Sequence, residues 1–492
     1  MMPPARWVVP MSLAMLASCD LAPVYNPPHF VVPDSYQGSG AFHVAKPDDG
    51  LSSRGDWWVL FNDPRLNALE QQLMSANPTL QAAAETYTQA RALAAEAQSS
   101  LYPQVAAQAE SSYNRESAHR LFGNNRVAEE ASSNQIGAAA SWEPDFWDAI
   151  RNSAHAQKRL AQASAAAFAA ARLSLQAELA NDYIAVRGLD AELEVLRETI
   201  ETYQKAVDVA RLRTEGQIAS GLDLARSLSE LKVAQAQETE TALERDLMQH
   251  AVAVLVGALS SSFVIQPAKE FELKPPLLPP EIPSELLQRR PDIASAERQM
   301  AAANASIGVA RAAFYPHIVF GGNAGFEDTA FRLLSLPNSL WSIGADATLP
   351  LFEGGLRRAQ LLHAQSQYAQ TRDIYRATVL AAFQDVEDGL SLSQRLAVEV
   401  AQQQEASDQA TQALSISTML YNDGLDDYLN VAVAQEQALT LRTGEVQLQI
   451  RELQASVSLI RALGGGWSVQ ALPNERQTLP FGPLDYRSPA TP

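Results

Sequence analysis

The chain lacks most of what marks a compact enzyme. One cysteine, Cys19, stands among 492 residues, so no internal disulfide is possible. Aromatic residues make up only 7%, and nothing in that composition signals several tightly packed globular cores. Basic residues are scarce, 37 against 56 acidic ones. The net charge of −19 argues against nucleic-acid binding and fits a soluble surface or a lumen that attracts cations. No apolar run reaches the roughly 18 residues of a membrane-spanning helix. The seven histidines, at 29, 43, 119, 155, 250, 317 and 363, form no ligand-spaced pair. A nucleophile elbow, a phosphate loop and a catalytic cysteine are all missing. The expectation is therefore a protein with no catalytic residues, no metal and no cofactor.

Proline is missing in a patterned way. The chain has 27 prolines, yet Asp145–Gln266 and Leu351–Leu472 contain none, and the two runs are equally long. Proline is excluded from helix interiors because it lacks an N–H and clashes with the preceding turn. A glycine-bearing turn interrupts each run near its middle, Arg213-Thr-Glu-Gly216 and Tyr421-Asn-Asp-Gly424. Each run reads as a long helical hairpin, rich in Ala, Gln, Leu, Glu and Arg as long helices are.

Other landmarks repeat as well. Asn77–Pro103 and Arg290–Pro316 have the same length, carry proline in second place and end in an aromatic-proline pair. Each is followed by an extended segment, a loop, a second extended segment and a proline-free run. The chain is a tandem duplication. Seven-residue spacing runs through the long helices. Leu189, Leu196, Tyr203 and Ala210 have companions at Leu193, Ile200 and Val207; Leu439, Val446, Leu453 and Ile460 have companions at Ile450 and Val457. That period imposes packing against a neighbouring helix along the whole length, although an ordinary elongated bundle would show it too. Polar, Gln-rich positions between His363 and Ala413 suit a face lining water.

The extended segments, about 104–113, 135–143, 317–327 and 340–349, alternate with period two. Val105, Ala107, Ala109 and Tyr113, then Ile136, Ala138, Ala140 and Trp142, form apolar rows in the first copy. In the second copy the rows are the even positions from Ile318 to Phe326 and the odd positions from Trp341 to Leu349. The opposite rows carry Glu110, Glu143, Glu327 and Asp346, which suit a wet lumen. A soluble half-buried sheet alternates in the same way. Aromatics near the strand ends and a length of about 9–11 residues favour a membrane barrel. Four strands leave two open edges, which lipid does not tolerate. Closure therefore requires several chains, and three would supply twelve strands.

The N-terminus has one basic residue, Arg6, then an apolar stretch ending in Leu16-Ala17-Ser18-Cys19. This is signal-peptide anatomy, and its end looks like a bacterial lipobox with Cys19 as the lipidated first residue. Asp20 resembles an inner-membrane retention signal of enterobacterial lipoproteins, so the lipobox alone leaves the destination open. Boundaries follow: signal peptide 1–18, lipidated extended arm 19–56, first repeat 57–272 with its hairpin at about 148–257, second repeat 273–466 with its hairpin at about 354–463, and an equatorial tail 467–492.

Several motifs together resemble the outer membrane factor family of TolC/OprM/NodT-like efflux lipoproteins. They are Leu286-Leu-Gln-Arg-Arg290-Pro291-Asp292-Ile293-Ala-Ser-Ala296-Glu297, the stretch from Ala303 through Phe314-Tyr-Pro316, Leu349-Pro350-Leu-Phe352-Glu-Gly354-Gly355, and Ala462-Leu463-Gly464-Gly465-Gly466-Trp467. Trp57-Trp58, Phe61, Asp63-Pro64 and Leu66 match the family's opening. Asp148 stands where similar proteins usually carry glycine. The resemblance covers nearly all of the mature chain. It implies a homotrimer in the outer-membrane bilayer, with a 12-stranded barrel and a long α-helical barrel in the periplasm. It implies a periplasmic adaptor and an inner-membrane pump, most often of the resistance-nodulation-division type. It also implies a gate at the two hairpin turns, held by ion pairs and hydrogen bonds. The candidates there are Arg211, Arg213, Tyr421, Asp423, Asp426 and Asp427, an arginine pairing with the acids. Gly216, Ser220, Gly221, Leu222, Gly424 and Leu425 are the implied adaptor contacts. A type I protein-secretion channel has the same architecture, and a periplasmic coiled-coil adaptor without a pore is the reading from another class.

Overall fold

The computed structural model describes residues 20–28, 30, 55–119, 128–218, 220–268, 273–276 and 286–485. The signal peptide, Cys19, most of the arm, the end of the first repeat at 269–272 and the last residues 486–492 lie outside the described residues.

A short turn at Trp57–Phe61 leads into α1 (Pro64–Ala76) and α2 (Pro78–Ser99), then β1 (Gln104–Glu116), β2 (Glu129–Trp142), α3 (Ala149–Glu215) and α4 (Gly221–Leu255). The second half opens with the single turn α5 (Leu286–Arg289) and continues with α6 (Pro291–Ala312), β3 (His317–Asp328), β4 (Ser339–Thr348), α7 (Leu356–Asn422) and α8 (Tyr428–Ala462). The duplication holds to the residue. α2 and α6 have 22 residues each, α3 and α7 have 67, and α4 and α8 have 35. At 1.5 Å per residue the long helices span about 100 Å.

Proline occupies the first position of α2 and of α6, where its missing N–H costs nothing. The two caps have diverged. Asn77 accepts from the Leu80 amide at 2.8 Å and donates to the Leu255 carbonyl at 2.7 Å. Arg290 caps nothing and instead reaches Asp292, Asp385 and the Ala462 carbonyl, joining α6, α7 and α8.

The four strands form one antiparallel sheet in the order β1-β2-β3-β4. Its register puts the predicted apolar rows on one face. Ala109 pairs with Ile136 and Ile136 with Phe326; Ala138 pairs with Ala324 and Ala324 with Trp341. That face is uncovered, with Tyr113 71%, Trp341 76% and Ile343 81% exposed. The strands of the first repeat run further toward the loop than expected, to Glu116 and from Glu129, because the ladder continues through Tyr113–Ser132 and Arg115–Glu130. Glu143 falls just beyond β2.

Below the sheet, α6 lies between α3 and α7; further down, α8 lies between α7 and α3, and α4 packs along α3. The heptad positions of α3 are the buried ones: Leu196, Val207 and Ala210 are inaccessible and Tyr203 nearly so. Leu453, Val457 and Ile460 of α8 close the main core with Trp57, Phe61 and Leu66 of the first repeat and Tyr183 and Ile184 of α3. Each fully buried aliphatic side chain contributes about 1.5–3 kcal/mol.

The run Gly464-Gly465-Gly466 has φ of +94°, +58° and +81°. A Cβ on Gly464 would sit 2.0 Å from the Arg289 carbonyl oxygen, so only glycine lets α8 end against α5. The tail that follows packs against α3 and α2. Gln162 donates to the Pro473 carbonyl, Glu475 meets Arg159 at 2.9 Å and His155 at 3.3 Å, and Arg91 reaches the Leu479 carbonyl. The tail thus climbs along α3 and α2 toward the sheet.

Candidate functional site

The two hairpin turns meet at the tip furthest from the sheet. At the second turn α7 ends with Asp423 as its C-cap, and Gly424 takes φ +74°. The Leu425 amide then closes back on the Leu420 carbonyl at 2.9 Å and the Gly424 amide on Tyr421 at 3.0 Å, satisfying carbonyls left over by the helix end. The first turn works differently. Gly216 has an ordinary φ of −75°, and the left-handed residue is Gln217 at +57°. Glycine's conformational freedom is therefore used at Gly424 and not at Gly216. Ser220 caps α4 by accepting from the Leu222 amide at 3.0 Å, and Gly221 is the first residue of that helix.

Within one chain Arg211 and Arg213 take partners other than the tip acids Asp423, Asp426 and Asp427. Arg213 lies with its guanidinium carbon 4.4 Å from the Tyr421 ring centre and donates to the Asn422 carbonyl at 2.8 Å. Within a protomer it therefore ties α3 to α7 through a ring face and a carbonyl rather than through an acid. Arg211 faces Asp208 on its own helix at 3.9 Å. Asp426 accepts from the Asn430 side chain at 2.6 Å and from the Asp427 amide at 2.8 Å, a local brace for the start of α8. Asp427 is the N-cap residue of α8 and makes no capping bond. Its negative charge still lies at the positive end of the helix dipole.

Tyr421 is the hub. It packs edge-on against Tyr428 at 5.4 Å and is 5% exposed, in a small core with Val431, Ala206 and Val209. The Tyr428 hydroxyl donates to Gln435 at 3.3 Å; burial and then Glu230 push its pKa up to about 12. One ion pair higher on the seam, Arg442 to Glu198 at 2.7 Å, joins α8 to α3. Sequence patterning did not single out that pair, since neither residue lies at a heptad core position. The exposed aliphatics Leu222, Leu425 and Ile218 crown the tip.

At the sheet, the register aligns Glu110, Gln135 and Glu327 in one row on the face opposite the aromatics. Asp346 pairs with Val319 on that same face. Glu143, beyond the strand end, meets His317 at 2.8 Å. The described part of the arm is docked as well. Asp20 accepts from Asn152 at 3.0 Å, Asn304 donates to the Pro23 carbonyl at 2.7 Å, and the Tyr25 hydroxyl donates to Glu297 at 2.6 Å. A role thus emerges for Glu297 in the Pro291–Glu297 motif, which receives the arm. No group of His, Cys, Asp and Glu arranged to hold a metal occurs among the described residues, and no described helix is long and apolar enough to cross a membrane.

Known proteins share this layout. The outer membrane efflux protein family matches residues 69–258 and 282–465, the two repeats in turn. The outer membrane protein OprJ of Pseudomonas aeruginosa is 30% identical over 473 residues, 94% of this chain and 96% of that one. The pyoverdine export outer membrane protein OpmQ of Pseudomonas putida is 29% identical over 472 residues, 94% and 98%. The solved outer-membrane channel OprN is 25% identical and superposes with a TM-score of 0.82 over 91% of this chain and all of that one. The chain belongs to the outer membrane efflux protein family, and it is an efflux channel of the outer membrane.

Proposed function

We propose that three copies of this chain close one continuous duct. Four strands from each would make a 12-stranded barrel in the bilayer, and the four long helices of each would make the tube below it. The observation that carries this is that every layer ends on an open face whose internal counterpart is filled. β2 and β3 are paired on both sides, whereas β1 and β4 each keep a free edge. Among the described residues α6 is held between α3 and α7, while its repeat-mate α2 has α3 as its one extensive helix neighbour; α8 is held between α7 and α3, while α4 packs on α3 and barely reaches α8. A neighbouring copy offering its α7 to α2 and α4, and its β4 to β1, fills all three faces by the geometry already present inside the chain. A pore-less adaptor has no use for such edges.

The apolar sheet face then meets lipid, and Glu110, Glu143, Glu327 and Asp346 face the lumen. Cys19 carries the lipid. Its chain neighbour Asp20 is bonded to Asn152 in the first turn of α3, just below the strands, which suits an anchor at the inner surface of the outer membrane. The duct is shut at the tip, where Arg213, Tyr421 and the acids Asp423, Asp426 and Asp427 of three copies surround the axis, with Arg211 beside them. The turns around Gly216, Ser220, Gly221, Leu222, Gly424 and Leu425 receive a periplasmic adaptor, which links the duct to an inner-membrane pump of the resistance-nodulation-division type. The cargo is drugs or other small toxic molecules. Transport through the duct is passive, with energy supplied by the pump, so no catalytic step is involved.

Membrane fractionation with and without the adaptor genes tests this. Heat-sensitive trimers in the outer-membrane fraction, labelled by radioactive palmitate through Cys19 and co-purifying with an adaptor, are the expected result. A palmitate-free monomer in the soluble periplasm would overturn it.

A further inference from the structure

Because α3 and α7 have 67 residues each and α4 and α8 have 35 each, every position of one hairpin has a counterpart in the other. Inside the chain α8 packs on its hairpin partner α7 and, with its other side, on α3. Ile450 enters that seam at Gly188, where a Cβ would collide with it, and Gln454 reaches the Asn181 carbonyl at 3.4 Å. On α4 the positions of Ile450 and Gln454 are Leu243 and Leu247, which are 59% and 53% exposed. The face of α7 that repeats the α8-binding face of α3 is an open groove lined by Ser391, Arg395, Val398 and Gln402. Within one chain α3 and α8 stand between α4 and α7. The uncovered face of α4 and the groove of α7 therefore meet only between chains.

On the inner seam Arg442 of α8 reaches Glu198 of α3 at 2.7 Å. Counted from the helix starts, the position of Glu198 is taken in α7 by Glu405, the same residue type. The position of Arg442 is taken in α4 by Gln235, and Lys232, one turn earlier, donates to the Gln235 side-chain oxygen at 2.9 Å. Lys232 thus brings a positive charge to the side chain that replaces Arg442. Lys232 and Glu405 are both exposed, and among the described residues neither makes an ion pair within the chain. The other arginines of α4 are placed elsewhere. Arg245 is buried against Asp190, and Arg226 lies six residues closer to the tip, about 9 Å away along the helix. On α7, Asp408 is the other acid within one turn of Glu405.

We propose that Lys232 of one copy and Glu405 of the next form an ion pair across the boundary between chains, the outer counterpart of Arg442–Glu198. The pair rests on the three-chain duct and names what fastens one chain to its neighbour there. Its weight comes from the different chemistry of the two seams. Inside the chain, Ile184, Leu453 and Val457 are buried in an apolar core. At the boundary the same positions carry Ser391, Asp246 and His250, and Arg395 replaces Gly188. A seam with fewer apolar groups depends more on its polar contacts, and exposed charge pairs are screened by salt. The boundaries between chains are thus the seams that salt loosens first.

Cross-linking of the full-length protein extracted from outer membranes tests the pairing directly, since the one native cysteine, Cys19, lies far from both helices in sequence. With Lys232→Cys and Glu405→Cys in one chain, a short bismaleimide should give covalent dimers and trimers on a denaturing gel. Lys232→Cys with Gln404→Cys, a position turned about 100° round α7, should give none. In a second measurement, Lys232→Glu and Glu405→Lys should each lower the temperature at which trimers dissociate, and the double reversal should restore it. The native mass of the same samples separates the two levels of the account. Trimers that yield no covalent ladder, or an equal one with Gln404→Cys, overturn the pair and leave the duct standing. So does a double reversal no more heat-resistant than the single variants. A single-chain native mass overturns both.

Discussion

Arg213 and Tyr421 stack across the boundary between the two repeats, guanidinium over ring at 4.4 Å, while the same arginine holds the Asn422 carbonyl. The contact is small, yet it joins the ends of the two 67-residue helices where a 100 Å lever makes movement easiest. A cation–π contact of this kind is worth about 0.5–2 kcal/mol.

Removing it should open the tip. Arg213→Ala is expected to raise the open fraction of single channels in planar bilayers by roughly 2- to 30-fold, the same free energy expressed as a population. Arg213→Lys keeps the charge without the planar fork and should fall between. Charge reversal at Asp423 or Asp427 should also raise single-channel conductance. Unchanged conductance in all four variants would remove these residues from the gate.

The glycines of the turns should differ sharply in tolerance. Gly464→Ala drives a Cβ to 2.0 Å from the Arg289 carbonyl oxygen at a left-handed φ, and should cost at least about 3 kcal/mol. Gly424→Ala meets open space and pays only the left-handed conformation, about 1 kcal/mol. Gly216→Ala lies at φ −75° and should change stability by less than about 0.5 kcal/mol. Thermal unfolding of the detergent-solubilised variants gives the order.

Glu70 makes stability depend on pH. It is fully buried in α1 with neither carboxylate oxygen bonded, and burial pushes its pKa up to about 9. Near pH 4 folded and unfolded chains both hold the proton, and the group is neutral to stability. Between the ordinary carboxyl value and about 9 the unfolded chain releases a proton that the folded one keeps. Stability should then fall as pH rises, by up to about 1.4 kcal/mol per unit, and level off above. Glu70→Met should raise the melting temperature little at pH 4.5 and increasingly toward pH 9. An offset independent of pH would contradict this.

Much of the architecture was legible because it is written in absences and periods. Proline-free runs and heptads such as Leu189–Leu196–Tyr203 located the hairpins, and alternation placed Ile136, Ala324 and Trp341 on one face as the register shows. The tip acids were visible as charges, but their partners were not. Whether Arg213 meets an aspartate or the Tyr421 ring is decided by the rotation of two helices joined through the fold, which no local pattern encodes. The same limit hid Arg442–Glu198 and the climb of the tail, both of which connect residues more than 200 positions apart. Gln217 taking the left-handed turn beside Gly216 is a local choice that favoured the less expected residue.

The claim on which the rest depends is that open edges of one chain are filled by another. Native mass spectrometry of the protein extracted from outer membranes tests it most directly. Three times the mass of the mature lipidated chain is the predicted species, persisting until the barrel is heat-denatured. A predominantly single-chain mass under those conditions would contradict the account.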